Sequence, residues 1–142
     1  MSDATAPPEL GSTLLTDRAE AASVAALRER VGHVARGHGL ADLEVTTFVL
    51  VVHELVVNAI RHGGGSARVA IWADPPGLRC RVTDAGRGMP PHRVNPQRAQ
   101  PADRIRGWGL RLVHRMCAEV DVVTGDGGTR IDILFPIDDH RF

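Results

Sequence analysis

The sequence predicts an α/β (α+β) two-layer sandwich, a mixed sheet with helices on one face. Three observations predict it. Apolar residues recur every three or four positions through two long segments, they alternate through two hairpin-like segments, and glycine clusters separate the two patterns. At 142 residues the chain fits one domain, long enough to bury a core without disulfide or metal support. Residues 12–137 read as that domain. Met1–Gly11 and Asp138–Phe142 read as loose polar tails.

Taken in order, Ser12–Thr16 suit a short first strand. Asp17 and Glu20 then have capping-box spacing, with a carboxylate as the cap, and Val24, Leu27, Val31, Val34 and Ala35 follow at helical intervals up to Gly37-His38-Gly39. Asp42 can cap a second helix, with Glu44 in its first turn. Val45, Phe48, Val49, Val52, Leu55, Val56, Ala59 and Ile60 carry the period for four turns before Gly63-Gly64-Gly65. The many valines would also suit a strand, but length and period favour helix.

Ser66–Ala73 and Leu78–Thr83 read as a hairpin around Asp74-Pro75-Pro76-Gly77, with Leu78, Cys80 and Val82 on one face. From Asp84 to Arg106 proline and arginine are frequent and apolar periodicity is absent, which at this length suggests a functional loop or lid. A third helix opens at Gly107-Trp108-Gly109, with Leu110, Val113, Cys117 and Val120 inward. The last hairpin runs Val120–Thr124, a Gly125–Gly128 turn, then Thr129–Phe135.

Composition removes whole classes of function. There is no lysine: all 17 basic residues are arginine. A P-loop, a eukaryotic-type protein kinase and a pyridoxal phosphate enzyme each need a lysine, so a nucleotide must be held differently. Formal net charge is zero and no basic stripe with interleaved aromatics appears, so nucleic acid is not an expected partner. No apolar run approaches 18 residues free of charge and the start lacks a signal-peptide pattern, so neither a membrane span nor export is expected. Cys80 and Cys117 lie among apolar residues, as reduced core thiols of a cytoplasmic protein would.

Three motifs carry chemistry. In His53-Glu54-Leu55-Val56-Val57-Asn58-Ala59-Ile60-Arg61-His62-Gly63, Glu54 and Asn58 are one helical turn apart and share a face with Thr47, Val51 and Arg61 or His62. A carboxylate and an amide so placed can hold Mg²⁺ and its waters against a polyphosphate, or can merely be a solvated helix face. Val57 stands where a zinc protease needs its second histidine. Asp84-Ala85-Gly86-Arg87-Gly88-Met89 follows a strand; its glycines permit close backbone approach, and its carboxylate can accept a bond from adenine N6 or simply cap a tight turn. Pro91 takes the place of a third dinucleotide-fingerprint glycine. Gly107-Trp108-Gly109-Leu110 opens a helix, where N–H groups and the positive dipole end suit phosphate, and Thr129 adds a hydroxyl.

The succession of these elements resembles the Bergerat ATPase superfamily of gyrases, chaperones, histidine kinases and mismatch-repair proteins. His53–Gly63 looks like its N box, Asp84–Gly88 its first glycine box and Gly107–Leu110 its second, so the likeness spans roughly residues 42–136. The resemblance implies ATP and Mg²⁺ as cofactors. It implies Asn58 as metal ligand, Asp84 as reader of adenine, and Gly86, Gly88 and Met89 around the nucleotide floor. Arg106, Gly107, Trp108, Gly109 and Leu110 would stand near phosphate, Thr129 would assist adenine through water, and Glu54 would orient or deprotonate the attacking group. His62 matches the His-Gly that ends the helix in related members.

Within the superfamily, Glu-x-x-x-Asn-Ala-x-x-His-Gly in a compact chain is similar to the anti-sigma-factor serine kinases of bacteria. That likeness implies a serine/threonine-protein kinase whose partners are a sigma factor and a small antagonist protein, and it leaves a homodimer open. Two other readings stay open: a non-catalytic ATP-binding interaction module, and a detached catalytic domain of a sensor histidine kinase. The sequence departs from the family at Arg87, often apolar in relatives, and in lacking the phosphate-contacting lysine. One of Arg93, Arg98, Arg104 or Arg106 would have to replace that lysine.

Overall fold

The computed structural model describes residues 13–86 and 108–137. Strand β1 (Thr13–Glu20) leads through a 3-10 turn (Ala21–Ser23) into helix α1 (Val24–Gly37), and helix α2 (Asp42–His62) follows. A hairpin of β2 (Ser66–Asp74) and β3 (Gly77–Asp84) comes next, then helix α3 (Trp108–Met116) and a second hairpin of β4 (Glu119–Gly125) and β5 (Gly128–Pro136). The strands form one sheet in the order β1-β2-β3-β5-β4 with helices on one side, the two-layer class expected. Every neighbouring pair runs antiparallel.

The sheet's helix-facing side follows directly from strand alternation. Val69, Val82 and Ile131 stand in one cross-strand row, and Ile71, Cys80 and Ile133 in the next. All six are buried. Leu55 and Val56 of α2 are also fully buried, and Phe48 meets Phe135 with ring centroids 5.2 Å apart and tilted planes. Such an aromatic pair adds about 0.5–1.5 kcal/mol beyond its area burial.

Helix α2 is the central helix, and two expectations about it are corrected. Val51, placed by period on the polar Glu54 face, is fully buried because α2 is flanked by α1 and α3 as well as by the sheet. Asp42 is the first helical residue rather than the cap. Ala41 holds the cap position, and Glu44 reaches back to accept its N–H at 2.8 Å. Although Glu54 interrupts its apolar run, α2 is long and apolar enough to cross a membrane by length and composition, with mean hydropathy 1.7. Its buried Val51, Val52, Leu55 and Val56 make it a core helix, which passes the same test.

The first strand is longer than the sequence suggested, and Asp17 does not cap α1. Residues 17–20 continue the ladder with β2, pairing Asp17 with Val69 and Ala19 with Ala67. Extension satisfies backbone groups that a helix end would leave orphaned. Asp17 instead crosses to α1 and bonds Arg30. Ser23 then takes the Glu20 N–H at 2.9 Å, so the turn into α1 is held by a serine hydroxyl.

Candidate functional site

Three glycines bring the end of α2, the end of β3 and the start of β5 to one point. Gly63 closes α2, and a Cβ there would overlap the Asp84 side chain and the Ala59 carbonyl. At Gly86 a Cβ would overlap the Gly63 Cα and lie 2.7 Å from the His62 carbonyl oxygen. Gly128, at φ +130°, would drive a Cβ into the Asp84 carbonyl and to 3.0 Å from the Ala85 Cα. The Asp84–Gly86 turn is thus wedged between two backbones at distances only glycine permits. The sequence places Gly63 at the end of the His53–Gly63 motif and Gly128 in a turn, and nothing in it signals that both pack on the Asp84 turn.

Asp84 is half-buried and bound on one side only. Its Oδ1 accepts the Gly86 N–H at 2.9 Å, and no described group takes Oδ2. Opposite it in the β3–β5 register is Thr129, buried to 6% exposure, whose hydroxyl lies 2.9 Å from that of Thr124. Asp84, Thr129 and Thr124 therefore form one row on the helix-facing side of three neighbouring strands. Thr124 had no sequence signal beyond its place in the hairpin.

On α2, Glu54, Asn58 and His62 follow at one-turn intervals, each about 6 Å along the axis from the last. All three are partly buried. The Nδ2 of Asn58 is fully buried and has no hydrogen-bond partner among the described residues. Leaving a donor so costs about 1–3 kcal/mol. Glu54 instead borders an open groove of about 660 Å³ between α1 and α2, with Arg28, Arg36, Leu50 and His53. His53 Nδ1 is likewise buried without a described partner.

The structure therefore brings Asp84, Gly86, Thr129 and the His62–Gly63 end of α2 together, with Asn58 one turn away. Trp108 and Gly109 open α3 as expected, and the Leu110 side chain is buried in the core, so only its backbone can face a phosphate. Gly88, Met89, Arg106 and Gly107 lie outside the described residues, as do Arg87, Arg93, Arg98 and Arg104. Both cysteines are free; burial pushes the Cys117 thiol up to about 12, and that of fully buried Cys80 further still. Neither is a nucleophile at neutral pH.

Residues 18–135 match the family described as the histidine kinase-like ATPase domain, and the chain belongs to that family. It is an ATP-binding domain of the histidine kinase-like type. Among solved structures it is similar to the histidine kinase domain of the Erythrobacter litoralis EL346 blue-light activated histidine kinase. The identity is 25%, the TM-score 0.54, and the match covers 82% of this chain and 64% of that one. Against a longer structure of the same kinase the identity is again 25% and the TM-score 0.56, covering 72% of this chain and 33% of that one. The Acinetobacter baumannii histidine kinase AdeS shares the fold at 13% identity and TM-score 0.50, over 89% of this chain and 69% of that one. The chain thus spans about two thirds or less of the first two structures it resembles. No curated protein matches it.

Proposed function

We propose that the chain binds ATP with Mg²⁺ beside Asp84 and transfers phosphate to a serine of a small antagonist protein, as an anti-sigma-type serine kinase. The observation that carries the nucleotide site is Asp84, with Oδ1 fixed by Gly86, Oδ2 without a partner among the described residues and Thr129 directly opposite. A carboxylate held this way accepts an exocyclic amine and discriminates against a carbonyl at the same position, which favours adenine over guanine. The Asn58 amide suits the other end, because its oxygen is a hard ligand for Mg²⁺.

Bound Mg²⁺–ATP would supply the phosphoryl group and the charge neutralisation its transfer needs. The protein's own task is to place and deprotonate the acceptor. Glu54, one turn from Asn58 and bordering the open α1–α2 groove, is reachable by an acceptor hydroxyl from outside and can take its proton.

A second reading has its own support: both structures at 25% identity are histidine kinases, so the acceptor would be a histidine. A non-catalytic module would bind ATP and transfer nothing. Labelled ATP with antagonist-like and histidine-phosphotransfer proteins separates the three. Acid-stable label on the acceptor supports the serine kinase, acid-labile label supports histidine transfer, and binding without label supports the module.

A further inference from the structure

On the sheet face turned from the helices, the described arginines pair with carboxylates except at one edge. Arg79 bonds Asp74 at 2.8 Å and Glu119 at 3.1 Å. Arg81 bonds Asp132 through two nitrogens, at 2.6 and 3.2 Å, and Arg130 reaches the same carboxylate at 3.2 Å. Arg68 has no such partner among the described residues. Arg18 reaches only Glu20, at 3.9 Å, with both side chains more than 60% exposed, so that pair contributes little.

Arg18 and Arg68 stand directly opposite each other in the β1–β2 register. Like charges so placed oppose pairing of the strands, since Cβ atoms there are about 4.5–5.5 Å apart. Beside them lies a depression of about 500 Å³ lined also by the small Ala70, by Thr16 and Thr83, and by Asp17, whose carboxylate is engaged by Arg30. The fold thus keeps a local excess of positive charge over a concave surface.

That surface adjoins a free sheet edge. β1 is an outer strand, and among the described residues its backbone pairs with β2 alone. On the helix side of the same edge, a second groove of about 660 Å³ between β1 and α1 is lined by Leu14, Leu15, Ala26 and Val34, with Glu29 and Arg30 among its polar residues. Leu14 is 39% exposed. This edge, unpaired among the described residues, therefore has a partly apolar groove on one face; on the other stand Arg68, with no described carboxylate partner, and Arg18, with only the distant Glu20.

We propose that the free edge of β1 takes an extended segment of a partner protein as a sixth strand. Its residues would alternate between apolar side chains in the β1–α1 groove and acidic side chains against Arg18 and Arg68. Backbone bonds to the edge give affinity, and the period-two alternation gives selectivity. The charge argues against a second copy as occupant. Two-fold pairing of β1 with β1 would set both Arg18–Arg68 pairs on one continuous face without adding a carboxylate other than Glu20. The proposal stands apart from the nucleotide site and does not depend on it.

Two capped octapeptides test it on the full chain, one alternating valine with glutamate and one alternating valine with lysine. The glutamate peptide should slow hydrogen exchange at alternate amides of β1, and the lysine peptide should not. Arg18→Glu/Arg68→Glu should weaken the glutamate peptide roughly tenfold and admit the lysine peptide, with ATP affinity unchanged. If the double reversal does not fold, Arg68→Ser alone should weaken the glutamate peptide about threefold. Equal binding of both peptides, absence of protection at β1, or protection that rises with protein concentration alone would each overturn the proposal.

Discussion

The Asp84 side chain packs against Gly63 so closely that no other residue fits at that position. The contact joins the end of the central helix to the end of the central strand, and it fixes the direction of the carboxylate proposed to read adenine. Gly63→Ala should therefore displace Asp84. We expect about 1–3 kcal/mol of lost stability and a fall in ATP affinity in the protein that remains folded, read by thermal unfolding and calorimetry. Native affinity in Gly63→Ala would show that the contact does not position the site.

Asp84→Asn presents an amide in place of the carboxylate and loses a charge-assisted hydrogen bond of about 1.5–3 kcal/mol. ATP affinity should drop about 10- to 150-fold while circular dichroism stays native. Calorimetry showing unchanged affinity would remove Asp84 from the pocket.

Asn58 and Glu54 should separate binding from chemistry. Asn58→Ala should abolish the Mg²⁺ dependence of ATP binding and most of the affinity. Glu54→Gln keeps shape and removes basicity, so it should bind ATP nearly as wild type and slow transfer roughly 10²- to 10⁴-fold. Equal transfer by wild type and Glu54→Gln would exclude Glu54 as the base.

Asp132, 1% exposed, is held by Arg81, whose side chain is 11% exposed. Asp132→Ala leaves a buried guanidinium without its counter-charge and should destabilise the domain by about 3–5 kcal/mol. Arg81→Met/Asp132→Leu removes the most buried charge pair, leaving the more exposed Arg130, and should recover part of that loss in urea titrations. A double variant no more stable than Asp132→Ala would mean that packing around the pair, not its charge, is what the sheet needs.

Cys117 gives a pH dependence of known sign. Burial raises its thiol from the ordinary 9.0 to about 12, so the unfolded chain loses this proton first. The contribution is whole below pH 9, shrinks as pH rises, and is gone above about 12, with a slope of up to about 1.4 kcal/mol per unit. Cys80, still more strongly raised, adds to the same alkaline loss. Cys117→Ala should flatten stability between pH 9 and 11; an unchanged profile would place the alkaline loss elsewhere.

The chain's period and punctuation were enough to place α2, the two hairpins and the start of α3, because those elements follow 3.6- and 2-residue repeats ended by glycine. They also put Glu54 and Asn58 on one helix and Asp84 at a strand end, since one-turn and strand-end positions are local geometry. Tertiary structure alone decided the rest. Asp17 continues a strand because β2 offers its backbone a partner, which no local propensity expresses. Val51 is buried on a face its neighbours mark as polar because α1 and α3 flank that helix. Asp84 meets Gly63 and Thr129 only because the sheet sets β5 beside β3 and beneath the end of α2. Those contacts join positions up to 45 residues apart (129 − 84 = 45), and sequence periodicity carries no record of separations that long.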